Sequence, residues 1–189
     1  MADKLRIADL IYRTRAEGAG ERTALWLQGC SLRCAGCCNR DMFSLNLGHE
    51  ITVDSLVEEI RQQGTCRLTV LGGEPLDQPE ALTRFLRRYR ESFGNMSDIW
   101  LFSGYTYQEI KGDRLKNECA GLCDILVSGR FVPALSPDSR VWIGSSNQEI
   151  RSFTPRGTAY IEEWPRNKFD IDIHISDNEV RINGWPLDT

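Results

Sequence analysis

Apolar and polar positions along the 189-residue chain switch between an unbroken or alternating pattern and a helical one, and the switches lay out a fold. Residues 6–12 read as an opening strand, followed by the polar, glycine-containing connection Arg13-Thr14-Arg15-Ala16-Glu17-Gly18-Ala19-Gly20. The apolar run over residues 23–29 predicts a second strand. Thr52 is placed to cap a helix over residues 53–63, in which Val53, Leu56 and Ile60 recur at helical spacing. Residues 67–71 form the next predicted strand. Pro79 suits the first turn of a helix reaching Arg90, with Leu82, Phe85 and Leu86 on one face. Residues 99–102 read as a short buried strand, Thr106-Tyr107-Gln108-Glu109 has the capping-box form that opens a third helix, and residues 124–128 make a further strand.

Strands that alternate with helices imply right-handed parallel crossovers. A closed eightfold barrel needs about 250 residues, so the expected fold is α/β, an open partial barrel of mainly parallel strands. Parallel sheets bind ligands at the carboxyl ends of their strands. The loops after Gly29, Leu71, Phe102 and Val127 therefore converge on one rim. The pattern changes beyond Ser152: residues 169–175 alternate strictly, and Asp177-Asn178 separates them from residues 179–182, which predicts an antiparallel β-hairpin. The expected organisation is a core over residues 1–151 and a β-rich extension over 152–189 packed on the same domain. Phe169, Ile171, Ile173 and Ile175 share one strand face, which needs cover from this domain or another chain because a lone hairpin is marginal in water.

With 41% hydrophobic and 26% charged residues the composition is ordinary for a globular protein. No apolar stretch approaches the ~18 residues that span a bilayer, and Met1-Ala2-Asp3-Lys4 does not lead into a secretory pattern, so a cytoplasmic location and no membrane association are expected. A net charge of −4 gives no general attraction to nucleic acid. Seven cysteines are an odd number, and their pattern favours reduced thiols and metal over a disulfide scaffold. Cys66, Cys119 and Cys123 read as buried fillers, and His174 as a solvated strand residue.

Cys30, Cys34 and Cys37 stand at C-x3-C-x2-C spacing directly after a strand. Three thiolates on one loop suit a cubane iron–sulfur cluster, which takes four ligands, and the iron left open is then a reaction site. Structural zinc is the alternative, using Cys38 as a fourth sulfur. Neighbouring Cys37 and Cys38 converge poorly on one ion, and no second C-x2-C knuckle is present. Gly72-Gly73-Glu74-Pro75 ends another apolar run. Its glycines permit close backbone approach, and Glu74 can accept hydrogen bonds from an ammonium group.

Together these two motifs resemble the radical S-adenosylmethionine superfamily. Asp98-Ile99-Trp100-Leu101-Phe102-Ser103-Gly104-Tyr105, Asp124-Ile125-Leu126-Val127-Ser128-Gly129-Arg130-Phe131 and Trp142-Ile143-Gly144-Ser145-Ser146-Asn147-Gln148 are similar, in order and spacing, to later motifs of the small anaerobic ribonucleotide-reductase activating proteins. The resemblance covers roughly residues 22–151 and implies a [4Fe-4S] cluster on Cys30, Cys34 and Cys37 with S-adenosylmethionine as second cofactor. It implies cofactor-binding roles for Gly72, Gly73 and Glu74, a contact from Ser103, a carboxylate-binding role for Arg130, and an adenosine border at Ser145, Ser146 and Asn147. Cys38 reads as a packed neutral thiol. Ser128 departs from the family, in which aspartate is common there. The implied activity is that of an oxidoreductase: reductive cleavage to a 5′-deoxyadenosyl radical that abstracts hydrogen from a partner glycyl-radical enzyme, with an electron donor such as flavodoxin or ferredoxin. Two alternatives stand beside it: the same chemistry on a peptide or small metabolite, and a non-enzymatic iron–sulfur electron carrier.

Overall fold

β1 (Lys4–Thr14), β2 (Arg22–Leu27), β3 (His49–Thr52), β4 (Arg67–Gly72), β5 (Asp98–Ser103), β6 (Ile125–Ser128) and β7 (Glu149–Ser152) form one sheet in the order β3-β1-β2-β4-β5-β6-β7. The structure, a computed structural model, describes residues 3–136, 138–166, 171–175 and 180–184. β2, β4, β5 and β6 run parallel, in register from Leu25 with Val70 to Phe102 with Val127. These are the strands expected from apolar runs, and β2 and β6 are buried along their whole length. The sheet is mostly parallel, as expected, and its edges run the other way: β1 is antiparallel to both β2 and β3, and β7 is antiparallel to β6. β3 and β7 are four residues each and have no fully buried residue, so they carry no apolar run to read.

The helices are α1 (Val53–Gln62), α2 (Pro79–Phe93), α3 (Tyr107–Gly112), α4 (Arg114–Ala120) and α5 (Pro155–Glu162). Thr52 caps α1 by accepting the Ser55 N–H, Pro79 opens α2, and Thr106 and Glu109 close the expected capping box on α3. Leu56 and Ile60 of α1, with Leu82, Phe85 and Leu86 of α2, bury against Leu25, Val70, Leu101 and Leu126 of the sheet. Neighbouring strand residues point the other way. Trp100, Ile125 and Val127 form a second core with Trp142, Tyr160 and Trp164, so α5 and the segment after it complete this face. α5 escapes a pattern reading because Pro155-Arg156-Gly157 looks like a break and only Gly157 is buried. Gly157 sits so close to the Asp124 carbonyl that a Cβ would lie 2.2 Å from its oxygen.

β8 (Ile171–Ile175) and β9 (Val180–Gly184) form the expected antiparallel hairpin, with Ile175 opposite Val180 and Ile173 opposite Ile182. Phe169, Asp170, Asp177, Asn178 and Glu179 lie outside the described residues. The face that turns inward is the polar one. The Asp172 carboxylate accepts the Thr14 hydroxyl and the Arg15 N–H, and Asn183 donates its amide to Thr14 Oγ1 at 2.8 Å. Ile173 and Ile175 remain 60% and 77% exposed, so of the two covers expected for them, this domain or another chain, the described residues do not supply the first. All seven cysteines are free thiols, and Cys119 and Cys123 are core fillers as read. No helix among the described residues is long and apolar enough to cross a membrane.

Candidate functional site

The cysteine loop is tied at both stems. As the chain leaves β2, Gly29 adopts φ +99° and donates to the Met42 carbonyl at 2.9 Å, while Gln28, buried, donates its side-chain amide to the Asp41 and Ser44 carbonyls. The segment carrying Cys30, Cys34 and Cys37 is thus closed at its base. The end of β4 lies directly against that base: the Gly73 N–H donates to the Leu27 carbonyl at 2.9 Å and the Glu74 N–H to the Gly29 carbonyl at 2.8 Å. A Cβ on Gly72 would lie 2.4 Å from Leu27 N, and one on Gly73 would lie 2.2 Å from Gly29 O. Close backbone approach is the role read from the sequence, and the backbone approached is the chain's own.

Glu74 is fully buried and satisfied by protein donors. One carboxylate oxygen accepts the Leu76 N–H at 2.9 Å and the Ser103 hydroxyl at 2.8 Å, and the other accepts the Gly104 N–H at 2.7 Å. Burial pushes its carboxyl up to about 7 despite those donors. Glu74 thereby bolts the end of β4 to the end of β5. Three residues on, Asp77 accepts from Ser31, beside Cys30, and from Tyr105, beyond β5.

These loops enclose a cavity of about 560 Å³, within the usual range of ligand sites. Cys30, Cys34 and Cys37 line one part, and Gly72, Gly73, Glu74 and Ser103 another. Trp26, Leu71 and Phe102 add apolar surface from the sheet face that α1 to α4 leave free. Burial pushes the Cys30 thiol up, the N–H groups of Arg33 and Leu32 oppose this, and the Glu74 and Asp77 charges add to it. Cys38 also lines the cavity but is exposed, which corrects its reading as a packed neutral thiol; a hydrogen bond from Cys37 brings it down to about 7. A single tetrahedral ion needs thiolate sulfurs about 3.8 Å apart. Among the described residues no three His, Cys, Asp or Glu side chains are grouped to hold such an ion. Three thiols that line one cavity supply the donor type an iron–sulfur group takes.

Arg130 and Asn147 are not among the lining residues. Arg130 makes a bidentate pair with Glu109, both bonds at 2.8 Å, which holds the Glu109 carboxyl at about 2. Asn147 donates to the Arg130 carbonyl at 2.9 Å. Ser145 is buried and accepts the Val132 N–H, and the Ser128 hydroxyl is buried without a partner. Sequence reasoning missed Asp9 and Glu17 from the β1 side and Ile182, Asn183 and Gly184 from β9, all of which line the cavity. Burial, and then the Asp172 charge, push the Glu17 carboxyl up to about 8. Glu17 lies in the polar connection, where acidic residues carry no distinguishing signal.

A family model described as 4Fe-4S single cluster domain matches residues 16–151. Curated relatives named anaerobic ribonucleoside-triphosphate reductase-activating protein match over most of their length. The one from Pasteurella multocida is 33% identical over 147 residues, covering 72% of this chain and 90% of the relative. That from Escherichia coli K12 is 32% identical over 144 residues, covering 70% and 89%, and that of bacteriophage T4 is 30% identical over 142 residues, covering 72% and 87%. Among solved structures, QueE from Escherichia coli overlaps 55% of this chain and 54% of its own, with TM-score 0.45 and 17% identity, too slight a likeness to argue from.

Proposed function

The chain belongs to the family of anaerobic ribonucleoside-triphosphate reductase-activating proteins, and from that premise we propose that it is a radical S-adenosylmethionine enzyme that activates a glycyl-radical enzyme. The observation that carries the reading is the gathering of three thiols and the glycine motif around one cavity at the ends of parallel strands. Cys30, Cys34 and Cys37 would hold the [4Fe-4S] cluster, leaving one iron open. When bound, the cluster and S-adenosylmethionine supply electron transfer to the sulfonium, its homolysis to methionine and a 5′-deoxyadenosyl radical, and hydrogen abstraction from the partner's glycine Cα.

The chain's own residues bind, orient and exclude water. Gly72 and Gly73 seat the base of the cysteine loop on β4, and Glu74, a lining residue that braces Ser103 and Gly104, would accept from the cofactor ammonium at Oε2, whose one donor among the described residues is the Gly104 N–H. Arg130 would exchange its pair with Glu109 for the cofactor carboxylate, with Asn147 holding the Arg130 backbone. Trp26, Leu71 and Phe102 keep the interior apolar. We read the sheet as an open partial barrel whose uncovered side admits a loop of the partner enzyme, and a small one-electron protein such as flavodoxin or ferredoxin as donor.

One observation favours a variation on the target. Ile182, Asn183 and Gly184 join the cavity wall from outside the family-matched residues 16–151, so the same chemistry directed at a different peptide is the second reading. Anaerobic reconstitution with iron, sulfide, S-adenosylmethionine and a reductant, with an anaerobic ribonucleotide reductase as substrate, tests both. A glycyl radical on the reductase supports the first; 5′-deoxyadenosine without that radical supports the second.

A further inference from the structure

The loops of the proposed cofactor site meet at a single carboxylate. Asp77 ends the turn Pro75–Asp77 that follows the glycine motif, and its own N–H is held by the Glu74 carbonyl at 3.0 Å. Its Oδ2 accepts the Ser31 backbone N–H at 2.6 Å. Its Oδ1 accepts the Ser31 hydroxyl at 2.9 Å and the Tyr105 hydroxyl at 2.8 Å, and those two hydroxyls are 3.1 Å apart. Ser31 follows Cys30 directly, and Tyr105 follows the Ser103-Gly104 end of β5, whose amide is held by Glu74. One anion therefore joins the cysteine loop, the glycine motif and the β5 loop.

Asp77 takes part in no ion pair among the described residues. The nearby Lys116 is bound to Asp113 at 2.7 Å and lies 4.9 Å from the centre of the Tyr105 ring. The hydrogen-bond donors to Asp77 among the described residues are all neutral, the peptide and side chain next to Cys30 and the tyrosine beyond β5, while the Lys116 charge acts on it without a direct bond.

We propose that Asp77 is a positioning residue for the iron–sulfur site: through Ser31 it fixes the peptide that directs Cys30, and its charge holds the site at a more negative reduction potential. This rests on Cys30 being a cluster ligand. A fixed amide keeps the thiolate direction constant through reduction and reoxidation, and a nearby anion opposes addition of an electron.

The test reconstitutes wild type, Asp77→Ala, Asp77→Asn, Tyr105→Phe and Cys30→Ala anaerobically. It then measures cluster loss to an iron chelator and the midpoint potential by redox titration. Asp77→Ala should lose its cluster about tenfold faster, as loss of a charge-assisted hydrogen bond implies, and should be reduced at a less negative potential. In Asp77→Asn the amide oxygen can keep the Ser31 N–H while both hydroxyls turn to accept from the new NH2, so chelation should stay near the wild-type rate while the potential shifts in the same direction. Tyr105→Phe, lacking one arm, should fall between wild type and Asp77→Ala in chelation rate. Wild-type rate and potential in Asp77→Ala, or an Asp77→Asn that loses iron as fast as Asp77→Ala, would overturn the proposal. A full cluster in Cys30→Ala would instead overturn the ligand assignment beneath it.

Discussion

Gly73→Ala isolates the contact on which the whole site is built. The new Cβ would lie 2.2 Å from the Gly29 oxygen, 2.7 Å from the Gly29 carbonyl carbon and 2.8 Å from the Met42 oxygen. All three are backbone atoms at the two stems of the cysteine loop, and none can swing aside as a side-chain tip would. Relief requires the end of β4 to draw away from β2, which stretches the Gly73 N–H to Leu27 bond and the Glu74 N–H to Gly29 bond. Overpacking of this kind costs about 1–3 kcal/mol, and two weakened backbone hydrogen bonds add about 1 kcal/mol each. The smaller unfolded-state entropy of alanine returns about 0.4–1 kcal/mol, so a net loss of roughly 2–5 kcal/mol is expected. Urea unfolding of the apoprotein measures it, with Gly112→Ala as control. At Gly112, the last residue of α3, a Cβ meets nothing within 4 Å. That variant should be neutral or stabilised by up to about 1 kcal/mol. Iron bound after anaerobic reconstitution should fall in Gly73→Ala and not in the control. A Gly73→Ala protein within about 0.5 kcal/mol of wild type and fully loaded with iron would refute the steric reasoning.

Glu74 carries a carboxyl raised from the ordinary 4.5 to about 7, so between those values the native state holds a proton that the unfolded chain has released, and stability must fall as pH rises. Its share of the loss between pH 5.5 and 8 is about 2 kcal/mol; urea titrations across that range should show a shallower slope in Glu74→Gln, and an unchanged slope would remove the buried carboxyl as its source. Arg130→Ala should leave apoprotein stability within about 1 kcal/mol, because its pair with Glu109 is exposed, yet weaken S-adenosylmethionine binding about tenfold or more by loss of a charge-assisted contact; equilibrium binding to the reconstituted protein checks this, and unchanged affinity would leave Arg130 a surface residue. A chain ending at Ser152 strips the half-buried Tyr160 and Trp164 from Trp100 and Thr154 from Asp124, and should lose about 2 kcal/mol for each aromatic removed, below the ~3–5 kcal/mol of a fully buried ring. A chain ending at Arg166 keeps those contacts and should retain the cluster and S-adenosylmethionine cleavage while losing activity on the partner; equal stability of the two truncations would contradict the packing.

The parallel strands were legible because burial on both faces writes an unbroken apolar run, as in residues 23–27. The caps at Thr52 and Thr106 were legible because their chemistry is local. β3, β7 and α5 were not, since their stabilising contacts come from distant residues: Gly157 is placed by the Asp124 carbonyl, and β7 by pairing with β6. In the hairpin, alternation sorted Ile171, Ile173 and Ile175 onto one face but could not say which face docks. Asp172 and Asn183 decide that by satisfying Thr14 and its neighbouring amides, more than 150 residues away in the chain. The same limit governs the site. Cys30, Cys34, Cys37, Gly72, Gly73, Glu74 and Ser103 meet because strand order brings loop ends together. Arg130 is drawn to Glu109, and Asn147 to the Arg130 backbone, by partners that no spacing rule reveals.

The central claim is that three thiolates and an open iron make this chain an activator of a glycyl-radical enzyme. Electron paramagnetic resonance tests it most directly on a mixture of the anaerobically reconstituted protein, S-adenosylmethionine, a reductant and an anaerobic ribonucleoside-triphosphate reductase. The expected result is a glycyl-radical doublet on the reductase with 5′-deoxyadenosine formed alongside it, both abolished in Cys34→Ala. A cluster-loaded wild-type protein that accepts an electron but neither binds nor cleaves S-adenosylmethionine would contradict the claim and leave an electron carrier.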